Sequence, residues 1–314
     1  MHIYFQNEFF NEFLDLDLQN KFVIDFSDEF LKKSKRYQLF TNLQQDDFYS
    51  LLKSDNPFGR YINENVEGIT YGCSIDDFLA NKDTVHKILL VNNFEDDNYL
   101  ETGYEYISSV NLIDKWQNYT LRRDDLHLPV TLNETYPIEE RFSSWDDLIR
   151  FKHPINDILI YEHFILNDGK KQRINDNLIP LLIFLNKMSD NKKSIKIICF
   201  DNQLMPFDEI LTENKKICYI KKLINDEVGD CDVEIILEPF KNERRMHDRY
   251  IITNLFVIER GEGFNIFDPN GNIRDVSRIN FYFNFFKSNY VMLLEVRKNM
   301  ERIENHSYMD LINN

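Results

Sequence analysis

The chain has 314 residues, a formal net charge of −16 and a hydrophobic fraction of 43%, with 26 Phe and 16 Tyr. That is ample apolar material for two ordinary domains and too much for a disordered chain. So acidic a protein lacks the basic face that coats a phosphate backbone or an anionic bilayer, and any nucleic-acid contact is expected to be local.

Met1-His2-Ile3-Tyr4-Phe5 opens without a basic stretch or an uncharged core, unlike a secretory signal. No run reaches the roughly 20 apolar residues that span a bilayer, so no membrane span is expected. Cys73, Cys199, Cys218 and Cys231 have no CxxC spacing, which predicts reduced thiols in a cytoplasmic protein with neither a metal site nor a cofactor. Cys199, inside an apolar run, is expected to behave as a small hydrophobe. Phe22-Val23-Ile24 and Ile88-Leu89-Leu90-Val91 predict short buried strands, and segments 28–36, 46–53 and 104–119 predict helices. Residues 1–150 therefore read as an α/β or α+β domain. Asp25 and Asp28, just past the first of these strands, fit either a metal-dependent nuclease site or plain helix capping. The stretch 120–142, with Arg122-Arg123-Asp124-Asp125, Pro129 and Pro137, predicts a long loop or a domain connection. Ser144 can then cap a short helix over 145–151, which Pro154 bars from continuing.

From 151 to 314 strands and helices alternate. Strands are predicted at 157–166, 194–200, 233–237, 246–253 and 255–259, and helices at 174–188 and 207–225. The segment 279–290 predicts a helix, its Phe281-Tyr282-Phe283-Asn284-Phe285-Phe286 run serving as core or dimer seam. Such alternation predicts an α/β domain with a central mixed sheet flanked by helices.

Chemistry concentrates in Arg244-Arg245-Met246-His247-Asp248-Arg249-Tyr250-Ile251-Ile252-Thr253-Asn254, followed by Gly261-Glu262-Gly263-Phe264-Asn265. On a strand over 246–253, His247, Arg249, Ile251 and Thr253 share one face, and Met246, Asp248, Tyr250 and Ile252 the other. An imidazole beside a guanidinium suits a phosphoryl group. Arginine offers a fixed fork of donors to phosphate oxygens, while histidine can attack phosphorus or move a proton. The bland alternatives are a structural histidine on a strand and a salt bridge from Arg249 to Asp248 or Glu262. Arg244 and Arg245 form a basic spot that is either a phosphate contact or a solvated pair. Glu262, near the same place, is unfavourable for an anion.

The spacing resembles the phospholipase D superfamily, whose pattern is His-x-Lys-x4-Asp, six residues, then Gly-Ser-x-x-Asn. Here it reads His247-x-Arg249-x4-Asn254, six residues, then Gly261-Glu262-x-x-Asn265. A closer likeness is to the phospholipase-D-like C-terminal domain of MIT-domain proteins and its bacterial relatives. Met246-His247-Asp248-Arg249 and Asn254 are similar to that set, and Ile160-Tyr161-Glu162-His163 resembles the family's first strand. The likeness covers about 156–290. It implies His247 as nucleophile with Arg249 and Asn254 beside it, and Gly261, Asn265, Glu162, His163 and Arg245 as phosphate-binding residues. A second histidine must protonate the leaving group. Yet none of His2, His86, His127, His153, His163 and His306 carries the pattern, so the resemblance implies a homodimer pairing two copies of His247. The implied activity is a metal-independent phosphodiesterase, with nucleic acid as substrate. The alternative is a catalytically degenerate binding or scaffold module for a protein or anionic partner, as the MIT-linked relatives are regarded. By analogy of architecture alone, such a chain suits a bacterial defence component.

Overall fold

The computed structural model describes residues 2–9, 19–28, 38–53, 68–80, 87–92, 104–125, 144–148, 152–163, 174–201, 213–229, 231–239, 248–261, 263–273, 279–283, 295–296, 298–299 and 302. The protein divides into two compact units, Met1–Asp124 and Asp125–Asn314. Each is α/β. One sheet is all-parallel and the other mixed.

In the first unit the strands are β1 (His2–Phe5), β2 (Gln38–Thr41), β3 (Ile69–Thr70), β4 (Lys87–Val91) and β5 (Glu105–Ser108). The described helices are α1 (Lys21–Phe26), α2 (Gln45–Lys53), α3 (Ile75–Ala80) and α4 (Leu112–Asp125). The strands lie in the order β3-β2-β1-β4-β5, every pair parallel. A parallel sheet is covered on both faces, so its strands read as near-continuous apolar runs, and β1 and β4 are buried along their whole length. Tyr4, Phe40, Phe78, Leu89, Val91 and Tyr106 pack as one cluster. Phe26 meets Trp116 edge-on at 5.3 Å, and Trp116 stacks on Tyr119 at 5.2 Å. Each such side chain contributes about 1.5–3 kcal/mol through burial.

Three expectations for this unit are corrected. Phe22-Val23-Ile24 is helical, within α1, because Asn20 caps the turn, accepting at Oδ1 from Phe22 N at 2.9 Å. Val23 and Phe26, three apart, are buried while Ile24 is 44% exposed, a helical period that three apolar residues in a row conceal. Asp25 thus sits inside a helix and not at a strand end. The helix expected over 104–119 begins with β5 instead. Ser108 and Ser109 both donate from their hydroxyls to Asn92 O, and Asn111 at φ 63° turns the chain into α4. The connection expected over 120–142 is helical as far as Asp125, because α4 continues through Arg122-Arg123-Asp124-Asp125, and residues 126–142 lie outside the described residues, as do 29–36 of the helix expected over 28–36.

In the second unit Trp145–Leu148 forms a 3-10 turn after Ser144, and residues 149–151 of the helix expected there lie outside the described residues. Strands β6 (Asp157–Tyr161), β7 (Ser194–Asp201), β8 (Asp232–Pro239), β9 (Arg249–Thr253), β10 (Phe256–Arg260) and β11 (Asn280–Phe283) follow, with helices α5 (Ile179–Lys187) and α6 (Glu213–Val228). A π-helical turn, Ile174–Leu178, leads into α5. The sheet order is β11-β10-β9-β6-β7-β8. Strands β6, β7 and β8 are parallel; β9 pairs antiparallel with β6, β10 antiparallel with β9, and β11 antiparallel with β10. The central mixed sheet is therefore as expected.

One face is built by Leu159, Tyr161, Ile198, Ile236, Ile252, Val257 and Val296. Ile160, Ile251 and Ile258 lie abreast across three strands on the other, and all are essentially inaccessible. Cys199 is fully buried in β7. The helix expected over 279–290 starts as a strand, since residues 280–283 pair with β10 in antiparallel register from Phe256↔Phe283 to Glu259↔Asn280. An aromatic run suits a strand as well as a helix, and the open edge of β10 decides. Among the described residues, no helix is long and apolar enough to cross a membrane.

Candidate functional site

Strand β9 begins at Arg249, three residues later than expected, and the predicted alternation holds where it is described. Arg249, Ile251 and Thr253 share a face; Tyr250 and Ile252 point the other way. His247, Arg244, Arg245 and Met246 lie outside the described residues.

Three strand ends meet at one edge of the sheet. Tyr161 pairs with Tyr250, so Glu162 and His163 leave β6 where Asp248 and Arg249 enter β9. On the other side of β9, Arg249 pairs directly with Arg260, the last residue of β10. Sequence reading missed Arg260, which is only 1% exposed. A hairpin folded about residues 254 and 255 brings positions 249 and 260 together, so its placement was implicit in the two closely spaced strands.

The long side chains at this edge converge on the turn after β10. Arg249 Nη1 donates to Gly261 O, and Arg260 Nη1 donates to Gly263 O. Glu162 Oε2 accepts from Phe264 N at 2.8 Å. Gly263 has φ +83°, a conformation that favours glycine, and a β-carbon there would lie 2.8 Å from Glu162 Oε2, so a larger residue would displace that carboxylate. Gly261 lies beside Asp248, whose Oδ1 is 3.5 Å from where a β-carbon would stand. His163 is buried, its ring edge-on to Tyr161 at 4.9 Å.

From the opposite side, Asn177 in the π-helical turn closes on the same loop. Its Nδ2 donates to Asn265 Oδ1 at 3.1 Å and Phe267 O at 3.2 Å, and its Oδ1 accepts from Phe267 N at 2.7 Å. Asn265 is thus held by a second buried amide. Single-turn π-bulges often mark positions where a side chain is aimed at a particular task, and here that task is anchoring.

Asn254 stands apart. It follows β9 at the far end from Arg249, about 16 Å along the strand. Its Nδ2 donates to Pro154 O at 3.0 Å and its Oδ1 accepts from Asn156 N at 3.2 Å, in a site only 1% exposed. Both ends of the amide fasten the chain as it enters β6. Of the residues singled out in sequence, the fold gathers Arg249, Gly261, Glu162 and His163 at one edge and leaves Asn254 at the other.

Chemically, the gathered edge can recognise an oxyanion. Arg249 and Arg260 are paired across adjacent strands, Arg260 buried and Arg249 half-buried, and an arginine's five donors let Arg249 hold a turn carbonyl and a ligand oxygen together. Among the described residues, no group of three or more His, Cys, Asp or Glu is placed to hold a metal ion. Compared with known proteins, the chain matches no family model, no curated protein and no solved structure.

Proposed function

We propose that the second unit is a phospholipase-D-like phosphodiesterase, a metal-independent nuclease working as a homodimer. The observation that carries this is the adjacency of β6 and β9. The two segments that bear the resemblance, 98 residues apart at Asn156 and Asn254, are neighbours in the sheet, and their site-bearing ends fall at the same edge.

His247 precedes Arg249 by two residues. As nucleophile its imidazole forms a bond to phosphorus while the bond to the leaving oxygen breaks. The copy of His247 in the second subunit gives that oxygen a proton. Water then attacks the phosphohistidine, giving a proton back to the imidazole of the second subunit; the bond from phosphorus to His247 breaks, the phosphoryl group leaves, and both histidines return to their starting states. Arg249 holds the non-bridging oxygens, with Arg260 behind it. An overall charge of −16 confines contact with nucleic acid to this edge.

The test uses the full chain in EDTA with fluorescent single-stranded DNA, RNA and a chromogenic phosphodiester. Cleavage that persists in EDTA and falls by about 100-fold or more in His247→Ala is expected. A well-folded dimer that cleaves none of these would overturn the assignment.

A second reading, a binding module without turnover, is favoured by one observation. Arg249, Arg260 and Glu162 all bond to backbone of the 261–264 turn, so the edge serves as a brace. An inert chain that binds a phosphate-bearing oligonucleotide equally well as wild type and as His247→Ala would select it.

A further inference from the structure

An amine and a thiol are buried side by side where β7 and β8 begin. Ser194 pairs with Asp232 in parallel register, and Asp232 N donates to Lys193 O at 3.0 Å, so Lys193 and Cys231 stand abreast on neighbouring strands. Residues abreast in a sheet share a face, with strands about 4.8 Å apart. Lys193 is 1% exposed and Cys231 5%. They sit by the start of β6, at the end of the sheet opposite Arg249.

The segments that carry the two groups are fastened on both sides. Ser189, in the turn before β7, donates from its hydroxyl to Ile155 O at 2.7 Å and accepts from Ile155 N at 3.2 Å. Lys193 Nζ donates to Ser189 O and Asn191 O of that same turn. Across from it, Asn186 Nδ2 in α5 donates to Val228 O at 2.8 Å, and Gly229 at φ 108° ends α6 just before Cys231.

This pairing has a chemical consequence. A thiol oxidised by peroxide becomes a sulfenic acid, which condenses with a nearby thiol or nitrogen nucleophile. Within this unit the other thiols are distant along their elements. Cys199 is abreast of Leu237, six residues further along β8 and about 20 Å away. Cys218 lies ten residues before the end of α6, on its exposed side. The nucleophile abreast of Cys231 is the Lys193 amine. Burial disfavours its ammonium form and pushes it down to about 8, so a neutral amine is within reach at mild pH.

We propose that Lys193 and Cys231 form a redox modification site, in which hydrogen peroxide joins Cys231 Sγ to Lys193 Nζ as a sulfenamide. The sulfur first takes one oxygen from peroxide; the O–O bond breaks and water leaves. Nζ then attacks the sulfur of the sulfenic acid, the S–O bond breaks, and the hydroxyl departs as water with a proton from the amine. Sulfur is oxidised by two electrons and peroxide is reduced to water. The linked nitrogen keeps one hydrogen for a turn carbonyl. A thiol reductant attacks the sulfur, the S–N bond breaks, and the amine regains its proton.

The test treats the full chain with dilute hydrogen peroxide, blocks remaining thiols, digests with chymotrypsin and reads the peptides by mass spectrometry. The peptides bearing Lys193 and Cys231 should appear joined, lighter than their sum by two hydrogens, and should separate on treatment with dithiothreitol. The link should be absent from Cys231→Ala, and in Lys193→Met the stranded sulfenic acid should take up dimedone that wild type excludes. The wild-type result decides by itself if Lys193→Met does not fold. A wild-type Cys231 that is inert to peroxide, that is captured by dimedone or runs on to sulfinic acid with Lys193 unmodified, or that joins a different residue would overturn the proposal. Nuclease activity, present or absent, leaves these outcomes untouched.

Discussion

The Glu162 carboxylate lies against the α-carbon of Gly263, where a β-carbon would stand 2.8 Å from Glu162 Oε2. That contact lets the carboxylate reach Phe264 N and fixes the turn on which Arg249 and Arg260 also bond. Gly263→Ala combines a left-handed φ with a steric clash and should cost about 1–3 kcal/mol. In a Glu162→Ala background the clash disappears and only the backbone strain remains, so the cost should shrink. Urea unfolding of the four combinations measures both. Equal costs in the two backgrounds would refute the contact.

Asn254, expected from sequence to stand beside Arg249, works instead as a clamp between Pro154 O and Asn156 N. Asn254→Ala should destabilise the second unit by about 1–3 kcal/mol, since it strands buried polar backbone. Asn254→Asp should also destabilise. A carboxylate can accept from Asn156 N but cannot donate to Pro154 O. Its penalty should ease in mild acid, where the protonated carboxyl regains a donor. Raised stability or activity in Asn254→Asp at neutral pH would contradict the clamp.

Within the first unit, Arg122 Nη2 and Glu105 Oε1 form a buried pair, with 11% and 5% of their side chains exposed. Burial pushes the Glu105 carboxyl up, and the Arg122 guanidinium beside it pulls the other way. Arg122→Leu leaves the carboxylate uncompensated and should cost about 3–5 kcal/mol. A carboxyl whose folded value lies above its unfolded one stabilises most below the unfolded value and loses that contribution as pH rises. The deficit should therefore be larger at neutral pH than in mild acid. Adding Glu105→Gln should recover much of it. A flat pH response of Arg122→Leu would show that the pair is not isolated from water.

Lys193 gives the opposite sign. Burial pushes its ammonium down from 10.5 to about 8, against the opposing pull of Cys231 and Asp190. The amine donates to Ser189 O at 2.6 Å and Asn191 O at 2.9 Å, and a neutral amine still has two hydrogens for these two carbonyls. Between about 8 and 10.5 the unfolded chain holds a proton that the folded chain has released, so stability rises with pH in that window. Thermal melts of wild type should show a rise that Lys193→Met lacks. Parallel curves would mean the lysine stays charged in the fold.

Local pattern was enough for the class of the second unit and for most of its strands. Apolar runs at 157–161 and 194–200 are dense in β-branched residues, and the period of two around Arg249, Ile251 and Thr253 is a property of neighbours in the chain. The resemblance around Arg249 likewise lay in consecutive residues. Other features depended on partners far away. Residues 22–24 became helical under the Asn20 cap, 105–108 became a strand beside β4, and 280–283 became a strand because β10 had an edge to fill. Intrinsic preferences differ by only about 1 kcal/mol, less than a row of ladder hydrogen bonds or a buried face can supply. For the same reason, no reading of residues in order could give Asn254 to Pro154 or bring the end of β6 beside Arg249. A strand has two ends and two neighbours, and only the packed sheet determines which end of β9 meets the turn and which meets the chain entering β6.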